Sequence, residues 1–288
     1  MTPTDRPLAV ALLGRGIVDP DEPVIHADDR GLLRGLAVFE TLRVYRARPF
    51  ALAEHLDRLG RSAERLGLTV PPRSDLETLA QLALDHAGRP DCSLRFTLTG
   101  GRAGETSPVT IAAVLSVPDD LEAIRTDGIS LISLQLGIDP RLRQDAPWLL
   151  DGVKSTSYAV NMAAWAEARR RGADDAVFIA ADGSVLEGPV TNVWWRLGTN
   201  LYTPSLDLGV LAGVTRAYML RLAEAASYTV EEGWFGLERM ASADEAFTSS
   251  SVREIMPVVT LDGKAIGDGR PGPAAVALQA GLRRAAGA

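Results

Sequence analysis

Lysine is scarce in this chain of 288 residues: only Lys154 and Lys264 among its 30 basic side chains are lysine, and the others are arginine. Cysteine occurs once, at Cys92, which excludes an intramolecular disulfide and a cysteine-rich zinc cluster. The three histidines are dispersed, without the short spacing that metal ligands usually have. No apolar run approaches the roughly 18 residues of a membrane-spanning helix. These absences argue against a metalloenzyme, a membrane protein and a disulfide-stabilised secreted protein.

The charge balance is acidic, with a formal net charge of −7. Such a chain lacks the broad basic surface that captures phosphate backbones, so we expect a small-molecule substrate and no nucleic-acid partner. Hydrophobic residues make up 46% of the chain, which is ordinary for a globular protein, and the length suits one large or two medium domains. The N-terminal residues lack the long apolar stretch of a secretory signal, so we expect a cytoplasmic protein.

Hydrophobic periodicity predicts two domains, over 1–118 and 128–288, joined by a polar connection over 119–127. Alternating or apolar runs predict strands at Leu8–Leu13, Val38–Tyr45, Ser93–Thr99, Val109–Val117, Ile129–Leu134, Ala176–Ala180, Val190–Arg196, Tyr228–Glu232, Glu245–Thr248 and Pro257–Leu261. Apolar residues at steps of three and four predict helices at Leu52–Leu66, Asp75–Ala87, Thr156–Arg171, Val214–Ala226 and Pro273–Arg284. The mixture predicts an α+β fold.

Lys154 lies in the segment Asp151–Tyr158, at the junction of a predicted loop and a predicted helix. Its position alone is typical of a solvated residue beside a helix cap. A lysine amine can also lose its proton on burial and form an imine, which arginine cannot do because its guanidinium stays protonated. In a chain that otherwise uses arginine for positive charge, a lysine at this place favours chemistry. Lys264 lies in a predicted exposed hairpin turn, where no chemistry is expected.

Three motifs that follow Lys154 contain groups able to bind an anion or a ring. Glu187 lies in a Gly-Pro turn before an apolar strand. Gly213 and Thr215 stand at a predicted helix start, where unpaired amides and the helix dipole suit a phosphate. The run Thr248–Ser251 is a hydroxyl-rich turn. Each motif alone is typical of a cap or a turn, but together they form an ordered set of lysine, carboxylate, phosphate-binding helix start and hydroxyl turn.

These motifs resemble those of the fold-type IV pyridoxal-phosphate (PLP) enzymes, also called class IV aminotransferases. The residues that carry the resemblance extend over nearly the whole chain: Asp29–Gly31, Gly35, Phe39–Arg43, His55–Leu59, Lys154, Tyr158, Glu187–Asn192, Leu211–Arg216 and Glu245–Pro257. The resemblance implies a two-domain fold of the D-amino-acid aminotransferase type, with a smaller N-terminal α/β sandwich and a larger C-terminal α/β barrel-like domain. It also implies pyridoxal 5'-phosphate as the cofactor and a homodimer.

The resemblance further implies roles for individual residues. Lys154 would bind PLP covalently and, once released by the substrate, act as general acid and base. Glu187 would pair with the pyridine nitrogen and keep it protonated, and Tyr158 would hydrogen-bond the ring hydroxyl. The phosphate would be bound by the side chain of Arg58 and by the backbone amides of Val214 and Thr215. The hydroxyls of Ser250 and Ser251 would complete its site.

Within the family, the stretches Phe39–Arg43 and Thr99–Arg102 resemble the aminodeoxychorismate lyases. Thr41 falls where those enzymes have a threonine close to the reacting carbon, whereas branched-chain aminotransferases usually have glycine there. Arg43 and Arg102 are suited to substrate carboxylates. The resemblance thus implies a 4-amino-4-deoxychorismate lyase, which yields 4-aminobenzoate and pyruvate for folate synthesis. The alternatives are a D-amino-acid or branched-chain transaminase of the same family and a non-catalytic ligand-binding relative.

Overall fold

The computed structural model describes residues 6–104 and 108–288, which group into two compact units. The first unit contains the described residues up to Pro118 together with Val153–Tyr158, and the second contains Asp119–Gly152 and Ala159–Gly287. The segment that carries Lys154 therefore belongs to the first unit. The predicted division assigned these residues to the C-terminal domain, because it placed the whole of 128–288 there.

The first unit is built on one antiparallel sheet. Its strands are β1 (Ala9–Leu12), β2 (Gly16–Val18), β3 (Ala37–Tyr45), β4 (Arg48–Pro49), β5 (Cys92–Thr99) and β6 (Thr110–Leu115). Its helices are α1 (Arg30–Arg34), α2 (Leu52–Arg65) and α3 (Arg73–Ala87). The strand order is β2-β1-β6-β5-β3-β4, and every neighbouring pair is antiparallel. Strand β3, which carries Thr41 and Arg43, therefore lies between β5 and β4.

Helices α2 and α3 pack against one face of this sheet. Apolar side chains of α2, among them Leu56 and Leu59, share a core with Leu42 and Val44 of β3. Burial of this stripe away from water stabilises the helices more than their intrinsic propensity does. Because side chains alternate along a strand, Thr41 and the other odd-numbered residues of β3 lie on the opposite face.

The second unit is built on a mixed sheet of eight strands. The strands are β7 (Ile129–Gln135), β8 (Asp175–Ile179), β9 (Asn192–Leu197), β10 (Asn200–Pro204), β11 (Thr229–Gly233), β12 (Glu245–Ser250), β13 (Glu254–Leu261) and β14 (Lys264–Ala265). The helices are α4 (Leu121–Asp127), α5 (Pro140–Gln144), α6 (Ala159–Arg170), α7 (Val214–Ala225), α8 (Leu237–Ala241) and α9 (Pro273–Ala286), with 3₁₀ turns at Pro147–Leu149 and Leu206–Leu208. No helix in the described ranges is long and apolar enough to cross a bilayer.

The strand order of this sheet is β11-β10-β9-β12-β13-β7-β8, with β14 paired to β13. Strand β7 runs parallel to both β13 and β8, and β10 runs parallel to β11. Buried aromatic rings fill the core beside β9: Trp194 stacks on Phe247 with centroids 6.3 Å apart, and Trp195 stacks on Tyr202 with centroids 6.1 Å apart. Lys264 lies exposed in the hairpin of β13 and β14, as its sequence context predicts.

The predicted polar connection over 119–127 contains helix α4. Leu121 is buried, and the guanidinium of Arg125 donates from Nε to the carbonyl oxygen of Ile255 on β13 at 3.0 Å. The same guanidinium pairs with the buried carboxylate of Glu254 at 2.8 Å. These contacts fix the stretch as a packed part of the second unit rather than a solvated linker.

Candidate active site

Lys154 is held against β3 by backbone hydrogen bonds. Its carbonyl oxygen accepts a bond from the N–H of Phe39 at 3.0 Å, and its own N–H donates to Ser62 Oγ of α2 at 3.1 Å. One residue further, Ser155 forms an isolated antiparallel bridge with Val38. The segment that carries Lys154 therefore lies alongside β3 and is hydrogen-bonded to it. These bonds fix the backbone of Lys154 independently of its side chain.

The amine of Lys154 lies among aromatic groups. Its Nζ is 3.3 Å from the hydroxyl oxygen of Tyr158 and 4.5 Å from the ring centroid of Phe39. The two rings meet edge to face, with centroids 5.1 Å apart. The structure thus brings together Lys154 and Tyr158, two predicted site residues, and adds Phe39 as the ring against which the half-buried amine rests.

Thr41 and Arg43 share one face of β3 with Phe39, because alternation turns all three side chains away from α2 and α3. Thr41 is half-buried, and the guanidinium carbon of Arg43 lies 5.3 Å from the ring centroid of Tyr45. The two residues of β3 predicted to touch substrate therefore stand on the same face as the ring that contacts Lys154.

Arg95 of β5 adds a cation that no sequence motif singled out. It pairs across the sheet with Thr41, and its guanidinium carbon lies 4.3 Å from the ring centroid of Phe39. Among the residues that the structure describes, no carboxylate pairs with it. Burial lowers the pKa of Arg95 and the nearby Tyr158 opposes that shift, but an arginine stays protonated at neutral pH. A half-buried cation of this kind is suited to bind a carboxylate ligand.

Arg58 of α2 is buried in an ion pair with Glu40 of β3. Its Nε donates to Glu40 Oε1 at 2.6 Å and its Nη2 donates to Oε2 at 2.8 Å, while Nδ1 of His55 lies 2.7 Å from Oε2. Burial raises the pKa of Glu40, but the charge and hydrogen bonds of Arg58, together with those of His55, outweigh it and lower the pKa to about 2. The bidentate pair fixes the plane of the guanidinium.

Arg102 is partly exposed and already has a carboxylate partner. Its Nε donates to both oxygens of Asp28 at 2.9 Å, and this hydrogen bond lowers the pKa of Asp28. The turn before it is held by Arg30, whose Nε donates to the carbonyl oxygen of Gly101 at 3.3 Å. Asp28 therefore already neutralises part of the charge that Arg102 was predicted to offer a substrate carboxylate.

Glu187 is held in a tight turn of the second unit. Both of its carboxylate oxygens lie 3.1 Å from the N–H of Leu211, which donates, and Oε2 accepts from Nδ2 of Asn192 at 3.2 Å. The turn requires glycine at position 188, because a Cβ on Gly188 would lie 2.3 Å from Oγ1 of Thr191. Two donors from different parts of the chain thus fix the direction in which the carboxylate points.

Helix α7 starts at an uncapped end. Its N-cap residue is Gly213, and none of the described side chains caps the first turn. The buried residues Val214 and Thr215 follow. A Cβ on Gly213 would lie 2.1 Å from Oδ1 of Asn192, so the packing there requires glycine. The first amides of a 12-residue helix and its positive dipole end form a favourable place for an anion.

The hydroxyl turn of Ser250 and Ser251 follows β12. Ser250 ends that strand and pairs with Glu254, the first residue of β13. Glu254 is buried and has a left-handed φ of 59°, which is uncommon for a residue other than glycine. Nη1 of Arg253 lies 2.6 Å from Oδ2 of Asp175 on β8. The turn is therefore anchored by the pairing of Ser250 with Glu254 and by the ion pair of Arg253.

Comparisons with known proteins agree on one family. A family model described as amino-transferase class IV matches residues 37–261. A bifunctional aminodeoxychorismate lyase and D-amino acid transaminase of Mycobacterium tuberculosis is 32% identical over 265 residues, covering 88% of this chain and 92% of that protein. The two activities in that name, lyase and D-amino-acid transaminase, are both among the functions that the sequence motifs left open.

Solved structures match over almost the full length. A fold-type IV transaminase from Curtobacterium pusillum has a TM-score of 0.87 at 32% identity, covering 96% of this chain and 97% of that one. A PLP-bound hypothetical aminotransferase from Mycobacterium tuberculosis has a TM-score of 0.90 at 31% identity, covering 96% and 98%. Together with the two sheets, these likenesses confirm the predicted fold class.

Proposed function

Because the chain belongs to the class IV aminotransferase family, we propose that it is a 4-amino-4-deoxychorismate lyase, which converts its substrate to 4-aminobenzoate and pyruvate. The family depends on PLP, so the chain is a PLP-dependent enzyme with lyase or aminotransferase chemistry. One observation carries the choice of lyase: Thr41 stands opposite Arg95 on the face of β3 whose Phe39 ring contacts the amine of Lys154.

The groups that PLP requires are present. Lys154 offers a half-buried amine for the aldehyde, and Glu187 offers a carboxylate for the pyridine nitrogen. The uncapped start of α7 offers amides for the phosphate, and the absence of a Cβ at Gly213 leaves room for the close packing there. To the phosphate we further assign Arg58, Val214, Thr215, Ser250 and Ser251, and to the ring hydroxyl Tyr158.

When bound, PLP withdraws electrons from the substrate carbon that loses a proton. Nζ of Lys154, in its neutral form, accepts that proton from the carbon that bears the substrate amine. The hydroxyl of Tyr158, 3.3 Å away, holds Nζ and limits the directions in which it moves. Oγ1 of Thr41 relays the proton taken up by Lys154 to the oxygen of the departing enolpyruvyl group. The bond between that oxygen and the ring breaks, enolpyruvate leaves and becomes pyruvate, and the remaining ring becomes aromatic.

The two carboxylates of the proposed substrate require cations. Arg95 lies directly across the sheet from Thr41, and Arg43 lies two residues along the same strand face. We propose that these two arginines bind the carboxylates, with Arg102 as a third candidate at the surface. The negative net charge of the protein is no obstacle, because nearby arginines determine the field where the substrate binds.

Pyruvate release from aminodeoxychorismate, measured with the purified holoenzyme and no added 2-oxo acid, tests the proposal. We expect pyruvate and 4-aminobenzoate in equal amounts. Thr41→Val should lower kcat by about a hundredfold without changing the absorbance of bound PLP, because valine matches threonine in size but lacks the hydroxyl that donates the proton. No pyruvate from a protein that has PLP bound would overturn the lyase assignment.

A D-amino-acid transaminase is the second candidate, because the Mycobacterium tuberculosis relative is named for both activities. D-alanine also yields pyruvate by amino transfer, but more than one pyruvate per active site forms only when a 2-oxo acid takes the amine from the cofactor and restores PLP. Parallel assays with D-alanine, with and without 2-oxoglutarate, therefore separate the two reactions. Continued pyruvate formation from D-alanine, over many turnovers, that requires 2-oxoglutarate would identify a transaminase.

We also propose that the enzyme is a cytoplasmic homodimer, as the resemblance to the family implies. Light scattering of the purified holoenzyme should give twice the mass of one chain. A mass equal to that of one chain at micromolar concentration would contradict the dimer.

A further inference from the structure

Asn192 is a buried amide that none of the proposed steps uses. It is the first residue of β9, and its Nδ2 donates to Oε2 of Glu187 at 3.2 Å and to the carbonyl oxygen of Leu211 at 2.9 Å. Its Oδ1 lies against Gly213, where an added Cβ would come within 2.1 Å. One side chain therefore contacts the turn that carries the carboxylate and the segment that leads into α7.

We propose that Asn192 is a positioning residue that couples Glu187 to the start of α7, so that the carboxylate and the helix amides meet PLP in a fixed relation. The inference rests on the proposed function, in which Glu187 pairs with the pyridine nitrogen and α7 binds the phosphate. Loss of Asn192 should then disturb both contacts, although its own atoms touch neither end of the cofactor.

The two hydrogen bonds explain why the residue is an amide. An NH₂ group donates to two acceptors at once, whereas an ionised aspartate would set oxygens against a carboxylate and a carbonyl, and a serine has one hydrogen to donate. Donation to Glu187 stabilises the negative charge of its carboxylate. A fixed, charged Glu187 is the form that keeps the pyridine nitrogen protonated.

The protonation of the ring nitrogen gives a direct readout, because PLP labelled with ¹⁵N in the ring reports it by NMR. For Asn192→Ala we expect the signal to move toward that of the unprotonated ring. Fluorescence titration should show a Kd for PLP that is about ten- to a hundredfold higher, since a hydrogen bond to a charged group is lost.

Asn192→Asp tests the role of the donor without a change of size. The new carboxylate cannot donate while it is ionised, and it repels Glu187. When it is protonated, it has one hydrogen to donate and no longer repels Glu187, so part of the role of the amide returns. The defect in Kd relative to the wild type should therefore shrink as the pH falls from about 8 to about 5.5, a dependence that a purely structural role would not produce.

Thr203→Val is the matched control. It removes a buried bond from Oγ1 of Thr203 to the carbonyl oxygen of Val193, at 2.9 Å, and so weakens the hold on β9 without touching Glu187. We expect a lower melting temperature and an unchanged nitrogen signal. If Asn192→Ala fails to fold, Asn192→Asp provides the test.

Glu187→Gln separates the inference from the proposed function. A changed nitrogen signal in Glu187→Gln, beside an unchanged signal and Kd in the folded Asn192 variants, would overturn the role of Asn192 and leave the function standing. An unchanged signal in Glu187→Gln itself would overturn both the role of Glu187 and the inference built on it.

Discussion

A buried carboxylate in the first unit fixes the position of a buried arginine. Glu40 is fully buried, and both of its oxygens accept bonds from Arg58. Without this partner the guanidinium would be a buried cation with its main counter-charge removed, which typically costs about 3 to 5 kcal/mol. The pair therefore fixes the orientation of Arg58, the side chain that the proposed function assigns to the phosphate.

We expect Glu40→Gln to lower the free energy of unfolding by about 3 kcal/mol near neutral pH. The pKa of Glu40 is lowered from its usual 4.5 to about 2, so the stabilisation is complete above about pH 4.5 and is lost as the pH falls toward 2. The difference between wild type and variant should shrink over that interval. Urea denaturation at about pH 7 and about pH 3 measures it, and an equal difference at both would contradict the role of the ionised carboxylate.

Arg95 should control the binding of carboxylate substrates. Arg95→Met keeps much of the apolar stem but removes the charge, so we expect KM to rise about ten- to a hundredfold while the absorbance of bound PLP stays unchanged. Arg48→Met is the control, because Arg48 is an exposed arginine of the edge strand β4. Steady-state kinetics distinguish the two, and a KM equal to that of the wild type in Arg95→Met would exclude a substrate contact.

Sequence alone predicts Lys154 and Glu187 as site residues but does not single out Arg95. The first two stand in local motifs, where neighbouring residues in the chain give the context. The role proposed for Arg95 depends on the register that places it opposite Thr41 and on the ring of Phe39 beside its guanidinium. That register is set by pairing between β3 and β5, which are far apart in the chain, and alternation within one strand does not reveal it.

Among the elements, the start of α7 requires a glycine because a side chain there would meet a neighbouring residue. The backbone conformation itself does not require glycine. Gly213 has φ −63° and ψ 132°, values that any residue adopts. We expect Gly213→Ala to raise the Kd for PLP roughly tenfold and to lower the melting temperature, because the Cβ would press on Asn192. Titration of PLP fluorescence and thermal melting are the measurements.

A glycine-to-alanine substitution inside α2 is the control, and we expect it to raise stability rather than lower it. A Cβ on Gly60, inside α2, would meet nothing within 4 Å. Gly60→Ala should therefore stabilise the protein by roughly 1 kcal/mol, the usual difference between the two residues in a helix. A stabilisation by Gly213→Ala equal to that by Gly60→Ala would show that the contact with Asn192 does not limit the residue at position 213.

Local pattern predicted some elements well and others poorly, for a physical reason. Helix α2 begins at Leu52 as predicted, since apolar spacing within one helix is a local property. Strand β10 (Asn200–Pro204) was not predicted, because it is short and forms through pairing with β9 and β11. Strand β9 begins at Asn192 rather than Val190, because the turn that holds Glu187 occupies the residues before it.

For the molecule as a whole, the return of Val153–Tyr158 to the first unit is the feature that periodicity could not reveal. These six residues form no regular element of their own up to the start of α6. Their place is fixed by bonds to distant residues, such as those of Lys154 with Phe39 and Ser62. The resemblance to the family predicted the fold class correctly, because its motifs occur in order over nearly the whole chain and not in one segment alone.

Attachment of PLP at Lys154 should stabilise the entire fold. A ligand that binds only the folded state adds roughly 2.7 kcal/mol at a hundredfold excess over Kd, so saturating PLP should raise the melting temperature of the wild type by several degrees. Lys154→Ala keeps the backbone bonds to Phe39 and Ser62 and should fold, but without a covalent bond to PLP its temperature shift should be much smaller. Lys264→Ala, which changes the other lysine in an exposed hairpin, should keep the full shift. Equal shifts in the two lysine variants would mean that Lys154 does not attach the cofactor.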